Sequence, residues 1–151
     1  LMIAEFDPVH PERLISEPKC LSRPLYGFEN TEHTINNEGP YAFYYHNKIY
    51  LAYSGGDARG YLYAIGMLTA NDGDDLCDLS VWEKAKTPIA SFATIPGEYG
   101  PGHNSFFWDR DQNLWIAYHA VTSFEEKIVS SGMRRVYFEQ DKTPRFDVIV
   151  E

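Results

Sequence analysis

Basic residues are in short supply: 13 Lys and Arg stand against 22 Asp and Glu, a formal net charge of −9. Such a surface repels a phosphate backbone and an anionic membrane alike, so neither nucleic acid nor membrane is expected as a partner. A neutral ligand is compatible. Cys20 and Cys77 are the two cysteines. They form no C-x-x-C pair and no zinc spacing, which leaves two separate thiols or one disulfide. No apolar run approaches the ~20 residues of a membrane span. The opening LMIAEFDP has neither a basic n-region nor a cleavage site, so no signal peptide is visible. It reads as a strand already under way, as expected of a piece of a longer chain, and the compartment stays open. Sustained amphipathic helical periods are scarce too.

Aromatic residues are plentiful, with 11 Tyr and 9 Phe. That excess favours strands and a sugar- or aromatic-lined surface over a helical bundle. Short aromatic and β-branched runs bounded by turn residues predict strands at Met2–Phe6, Leu14–Leu21 (broken by Pro18), Tyr41–His46, Lys48–Ser54, Tyr61–Thr69, Asn104–Asp109, Asn113–His119, Met133–Glu139 and Arg145–Val150. Hairpins are expected around His46-Asn47 and Asp111-Gln112. One helical turn is expected at Leu76–Trp82. The fold class is all-β.

A self-comparison at a shift of 65 positions (103 − 38) brings Glu38 onto His103, Tyr41 onto Phe106, and Tyr50, Leu51, Ala52 and Tyr53 onto Trp115, Ile116, Ala117 and Tyr118 without a gap. Four antiparallel strands per repeat is the signature of a β-propeller blade. Residues 1–37 read as the outer strands of one blade, 38–102 as a second and 103–151 as a closing blade. Two blades and part of a third do not close a ring, so further blades are expected from the parent chain or another subunit. In a propeller the first strand of each blade lines the channel, and the end of the second strand returns to the same mouth. Glu38 and His103 should therefore converge there, with Ser54 and His119 alongside. A carboxylic acid at a partly dry, convergent site suits general acid work. The residue alone fits a solvated turn equally well.

NEGPY followed by an aromatic hairpin ending YSGG resembles the general-acid motif of glycoside hydrolase family 43. VWEKAKTPIASF, YGPGHNSFF, LWIAYHA and the closing MRRVYFEQDKTPRF are similar to later blocks of that family, over nearly the whole chain. The resemblance implies a five-bladed β-propeller that hydrolyses α-L-arabinofuranosyl or β-D-xylosyl linkages in plant cell-wall saccharides with inversion, and GPGHNSF leans to the arabinan-active side. It makes Glu38 the general acid and His103 the channel histidine, near a calcium or sodium ion. It places Arg134 near the sugar, with Arg135 adjacent in register. Tyr53 and Ser54 are assigned to the substrate by the strand argument. No organic cofactor is implied. The family's two further aspartates, one the general base, belong to earlier inner strands. Asp7, in a DP turn after an outer strand, is a poor substitute, so this stretch by itself is expected to be inactive. A non-catalytic carbohydrate-binding propeller is the alternative.

Other candidates fit solvated or packing roles. NDGDDLCD lacks the alternating oxygens of an EF-hand loop. His10, His33, His46 and His119 have no metal-type spacing, and GxSxG is absent. Trp82 and Trp115 read as blade packing, while the face of Trp108 is ambiguous.

Overall fold

The computed structural model describes residues 1–125 and 128–147. In chain order the strands are β1 (Met2–Ile3), β2 (Lys19–Cys20), β3 (Asn30–Thr31), β4 (Thr34–Ile35), β5 (Asn37–Tyr45), β6 (Lys48–Gly55), β7 (Ala64–Asn71), β8 (Glu83–Lys84), β9 (Tyr99–Trp108), β10 (Leu114–Ser123), β11 (Ile128–Arg135), β12 (Tyr137–Phe138) and β13 (Pro144–Arg145). Two 3₁₀ turns, Gly27–Glu29 and Leu79–Val81, are its helical elements among the described residues. The second replaces the longer turn expected at 76–82. Asp78 caps it, its side chain accepting from the Ser80 N–H.

Strands β5-β6-β7-β8 make one antiparallel sheet and β9-β10-β11 a second. Both central hairpins stand where the sequence puts them. His46 and Asn47 both have positive φ, 46° and 61°, the geometry of the two-residue turn that matches strand twist. The second tip is one residue longer. There Asp109 accepts from the N–H groups of Asp111 and Asn113 and from the Trp115 indole. These bonds hold its carboxyl at about 2, below the ordinary 3.8, with the Asn113 and Trp115 side chains the leading causes.

Several expected strands are shorter or divided. Met2–Phe6 and Leu14–Leu21 reduce to β1 paired with β2, plus an isolated bridge between Phe6 and Leu14. Met133–Glu139 splits into the end of β11 and β12: the Val136 N–H still donates to the Leu114 carbonyl in register with the Trp115–Arg135 pair, and the chain then passes to β12, which pairs with β13. The second sheet therefore has three described strands, not four. Of Arg145–Val150, residues 148–150 lie outside the described residues. The divisions expected after 37 and 102 fall inside β5 and β9.

The two sheets stack face to face. Phe43, Tyr50, Ala52, Ile65 and Met67 of the first meet Phe106, Ile116, Tyr118 and Ala120 of the second in one core. Phe43 stacks on Tyr50 with centroids 4.9 Å apart and lies 4.5 Å from Phe106. Each fully buried side chain of this size contributes about 1.5–3 kcal/mol. Strands β12 and β13 close the hairpin end, where Phe138 stacks on Tyr45 at 3.6 Å. The Tyr50 hydroxyl donates to the Lys142 carbonyl there.

The strand register corrects the internal repeat. On β6 and β10 the 65-residue shift holds: Tyr53 and Tyr118 are equivalent. On the inner strands it does not. Glu38 pairs with Ser54 and Tyr41 with Ala52, so Gly39 and Pro40 bulge opposite Tyr53. Gly102 pairs with His119 and Ser105 with Ala117, so His103 and Asn104 bulge opposite Tyr118. The counterpart of His103 is thus Gly39, 64 positions away, and both have positive φ (51° and 56°). A shift of 65 would equate Tyr41 with Phe106, yet these rings face each other across the interface at 6.0 Å. The extra residue at the second hairpin tip absorbs the difference.

Candidate active site

Glu38 sits on β5 immediately before its bulge. Such a bulge bends the strand and re-aims the neighbouring side chain, and Gly39 supplies the left-handed residue it needs. The Glu38 side chain is 28% exposed. Its two oxygens have different partners. Oε1 accepts a hydrogen bond from the Tyr63 hydroxyl, and Oε2 lies 3.3 Å from Nδ1 of His103. The convergence of Glu38 and His103 expected at the channel mouth is therefore present, although the two hold different slots of their blades.

His103 is held from behind and open in front. Its backbone N–H donates to the Ser54 hydroxyl at 2.8 Å, while its ring is 62% exposed. His119 adds a second ring 6.5 Å from that of His103 and 5.7 Å from that of Tyr63. Burial, then the neighbouring His103, lower the His119 pKa below its ordinary 6.5, against an opposing pull from Glu38.

Tyr63 has no place in the sequence reading. It is fully buried just before β7, and its ring lies over Gly102, where an added Cβ would stand 2.0 Å from a ring carbon. The glycine in GPGHN is the signal that could have found it: a side chain there would displace the ring.

Tyr53 and Ser54 do share the level of Glu38, but both side chains are fully buried. Their assignment to the substrate is corrected: neither has surface to offer a sugar. Ser54 supports His103. The Tyr53 hydroxyl donates to Glu29 at 2.7 Å, and burial followed by that carboxylate raises its pKa. Glu29 is itself fully enclosed, gathering the N–H groups of Leu25 and Tyr26, the Asn37 amide and, at 2.5 Å, the Lys84 ammonium.

Arg134 belongs to the matching arrangement in the second sheet. It donates to Glu98 and to the Tyr118 hydroxyl, both at 2.7 Å, and Tyr118 donates to Glu98 at 2.5 Å. Cation, glutamate and middle-strand tyrosine thus recur as Lys84–Glu29–Tyr53 and Arg134–Glu98–Tyr118. Tyr53 lies over Gly66 as Tyr118 lies over Gly132. In this chain the Arg134 guanidinium is engaged in these bonds, with 20% of its side chain exposed.

A calcium or sodium ion takes a cage of oxygens, six to eight for calcium. Among the described residues, no three His, Cys, Asp or Glu ligand atoms cluster at His103. The one such cluster is Glu5, Asp75 and Cys77, elsewhere on the chain. The residues around His103 therefore do not by themselves fit a cation site. Cys20 and Cys77 are free thiols. No described helix is long and apolar enough to cross a membrane.

The chain is similar to several known proteins. The chain is 29% identical over 149 residues to an extracellular exo-α-(1→5)-L-arabinofuranosidase of Streptomyces avermitilis, covering 93% of this chain and 31% of that protein. It is 38% identical over 101 residues to the protein of the same name in Streptomyces chartreusis, covering 66% and 30%. It superposes on a crystal structure of an α-L-arabinofuranosidase from Lactobacillus brevis with TM-score 0.82 and 29% identity, covering 96% of this chain and 46% of that one. The chain thus spans about a third of the length of these curated relatives. The model of glycosyl hydrolases family 43 matches residues 3–144, and the chain belongs to that family.

Proposed function

We propose that this chain forms the acid-bearing part of an inverting β-propeller glycosidase that releases α-L-arabinofuranosyl units from arabinose-containing saccharides. The observation that carries the proposal is the Glu38 carboxyl at the mouth, with one oxygen fixed by Tyr63 and the other facing His103. Because Oε1 accepts from the tyrosine, Oε2 is the oxygen that carries a transferable proton. Glu38 donates that proton to the glycosidic oxygen as the bond to the anomeric carbon breaks. Water attacks the opposite face of the sugar, activated by a carboxylate about 6.5–9.5 Å from the acid. That base is assigned to blades that complete the ring and to no residue of this chain. Arabinose is preferred over xylose because the matched curated relatives carry arabinofuranosidase names. A channel cation is likewise left to donors beyond these residues, with His103 beside it.

The test is Glu38→Gln in the complete enzyme. Turnover of substrates with poor leaving groups should fall by about 10²–10⁴-fold, the usual worth of a general acid. Aryl glycosides with activated leaving groups should be spared. Equal losses on both classes would remove Glu38 from the acid role.

A further inference from the structure

Three aromatic rings outside the main core meet at the end of the two sheets that carries Glu38. Tyr61 and Phe124 lie 4.5 Å apart, Tyr99 and Phe124 3.9 Å, and Tyr61 and Tyr99 6.2 Å. Phe124 remains 53% exposed and the adjoining Leu62 40%. The cluster is built to hold its shape. Glu32 accepts from the backbone N–H groups of both Tyr61 and Leu62. The Tyr61 hydroxyl donates to the Phe124 carbonyl at 3.3 Å. Gly100, at φ 58°, lets β9 come so close to the Tyr61 loop that a Cβ there would stand 2.2 Å from the Gly60 carbonyl oxygen.

Its position ties it to the mouth. Tyr61 stands two residues before Tyr63, the hydrogen-bond partner of Glu38, and two residues of chain reach at most ~7 Å. Tyr99 opens the inner strand that carries His103, and it pairs with Val121 on β10, three residues before Phe124. A rigid, half-exposed aromatic surface next to a polar site is the make-up of a ligand pocket wall. With a formal net charge of −9 over the chain, a neutral ring is a better occupant than an anion.

We propose that Tyr61, Tyr99 and Phe124 form a stacking platform for a saccharide ring on the leaving-group side of Glu38. That side is the one inferred because the platform adjoins the loop that supplies the acid's own partner, Tyr63, and a general acid acts on the leaving oxygen. The inference rests on the saccharide reading above, though not on which proton Glu38 transfers.

Binding of arabinotriose and of arabinose to the chain, measured by calorimetry and by shifts of the Phe124 ring resonances, tests it. Phe124→Ala should weaken arabinotriose binding by about tenfold or more and leave arabinose unchanged. Phe6→Ala, an exposed aromatic elsewhere, should change neither. Because Phe124 is half exposed, an unchanged melting temperature is expected and confirms a folded variant. Arabinotriose affinity that is equal in Phe124→Ala and the parent overturns the platform. So does an absence of binding by the parent. The acid assignment fails separately, through unimpaired hydrolysis by Glu38→Gln.

Discussion

Glu29 is fully enclosed and charged, and its five bonds run from the 22–26 segment across β5 and β6 to Lys84 on β8. Burial alone would raise its pKa. Lys84, the Tyr26 N–H, Tyr53 and Asn37 outweigh that, and the folded-state value lies below the ordinary 4.5. A depressed folded value means stability that is present above the unfolded pKa and lost as pH falls through the folded one. Urea melts should therefore show stability declining as pH drops below about 4.3. Glu29→Gln should remove about 3 kcal/mol at neutral pH, the cost of stranding a largely enclosed ammonium, and should flatten that acid decline. An unchanged acid slope would show that other carboxylates set it. Nothing in the sequence distinguishes Glu29 or Glu98 from the other acids, because their partners come from strands distant in the chain. Glu38 was legible through its EGP step, and His103 through GHNSF.

His103 holds a left-handed conformation with φ 51°, which costs a non-glycine residue about 1–3 kcal/mol. His103→Gly should raise the melting temperature while removing the imidazole from Glu38. His103→Val should lower it, since a β-branched residue tolerates positive φ poorly. The pair of variants separates backbone strain from side-chain contacts.

At the scale of elements, hairpins were legible and register was not. Turn residues at 46–47 and 111–112 announce where strands reverse. A bulge leaves no comparable mark, because the extra residue is spent inside a strand whose aromatic pattern looks continuous. The burial of Tyr53 follows from the same cause. Its level beside Glu38 was correctly placed, yet the face it takes depends on the bulge and on the sheet packing behind it. Gly102→Ala tests the close approach that lets Tyr63 reach Glu38. The added methyl should destabilise the fold by about 1–3 kcal/mol through overpacking, read from chemical denaturation. Tyr63→Ala in the same chain should recover part of that loss, whereas additive losses would place the clash elsewhere.

Over the whole molecule, one face of the β9-β10-β11 sheet packs on the first sheet, and the other is not covered by the described residues. The open side carries Phe107, Met133 and Val129, with Met133 67% exposed. Unsatisfied apolar faces of this kind associate. Sedimentation of the 151-residue chain should show a weight-average mass that rises with concentration, and Met133→Lys should shift it toward the monomer. A parent chain that stays monomeric across the range would contradict this. The all-β stack of blades was legible from hairpin spacing alone, since each hairpin marks a blade. The three-stranded second sheet was not, because no turn residue marks the step at Val136 where the chain leaves β11 for β12 and takes β13 as its partner.

The extra residue at the second hairpin tip has an effect far from itself. The tip begins at residue 110, about seven residues along the chain from His103, roughly 23 Å away at the usual strand rise. Adding one more residue there, with the turn itself kept at its present size, would slide the inner strand by one step away from the tip, because Gly102 holds the slot equivalent to Glu38. His103 would then occupy the slot that Glu38 holds in the first blade, and Asn104 would enter the bulge. Loop length at one end of a blade thus selects which side chain is delivered at the other. A change at the solvent-facing rim can exchange an imidazole for an amide beside the acid without altering any residue of the mouth.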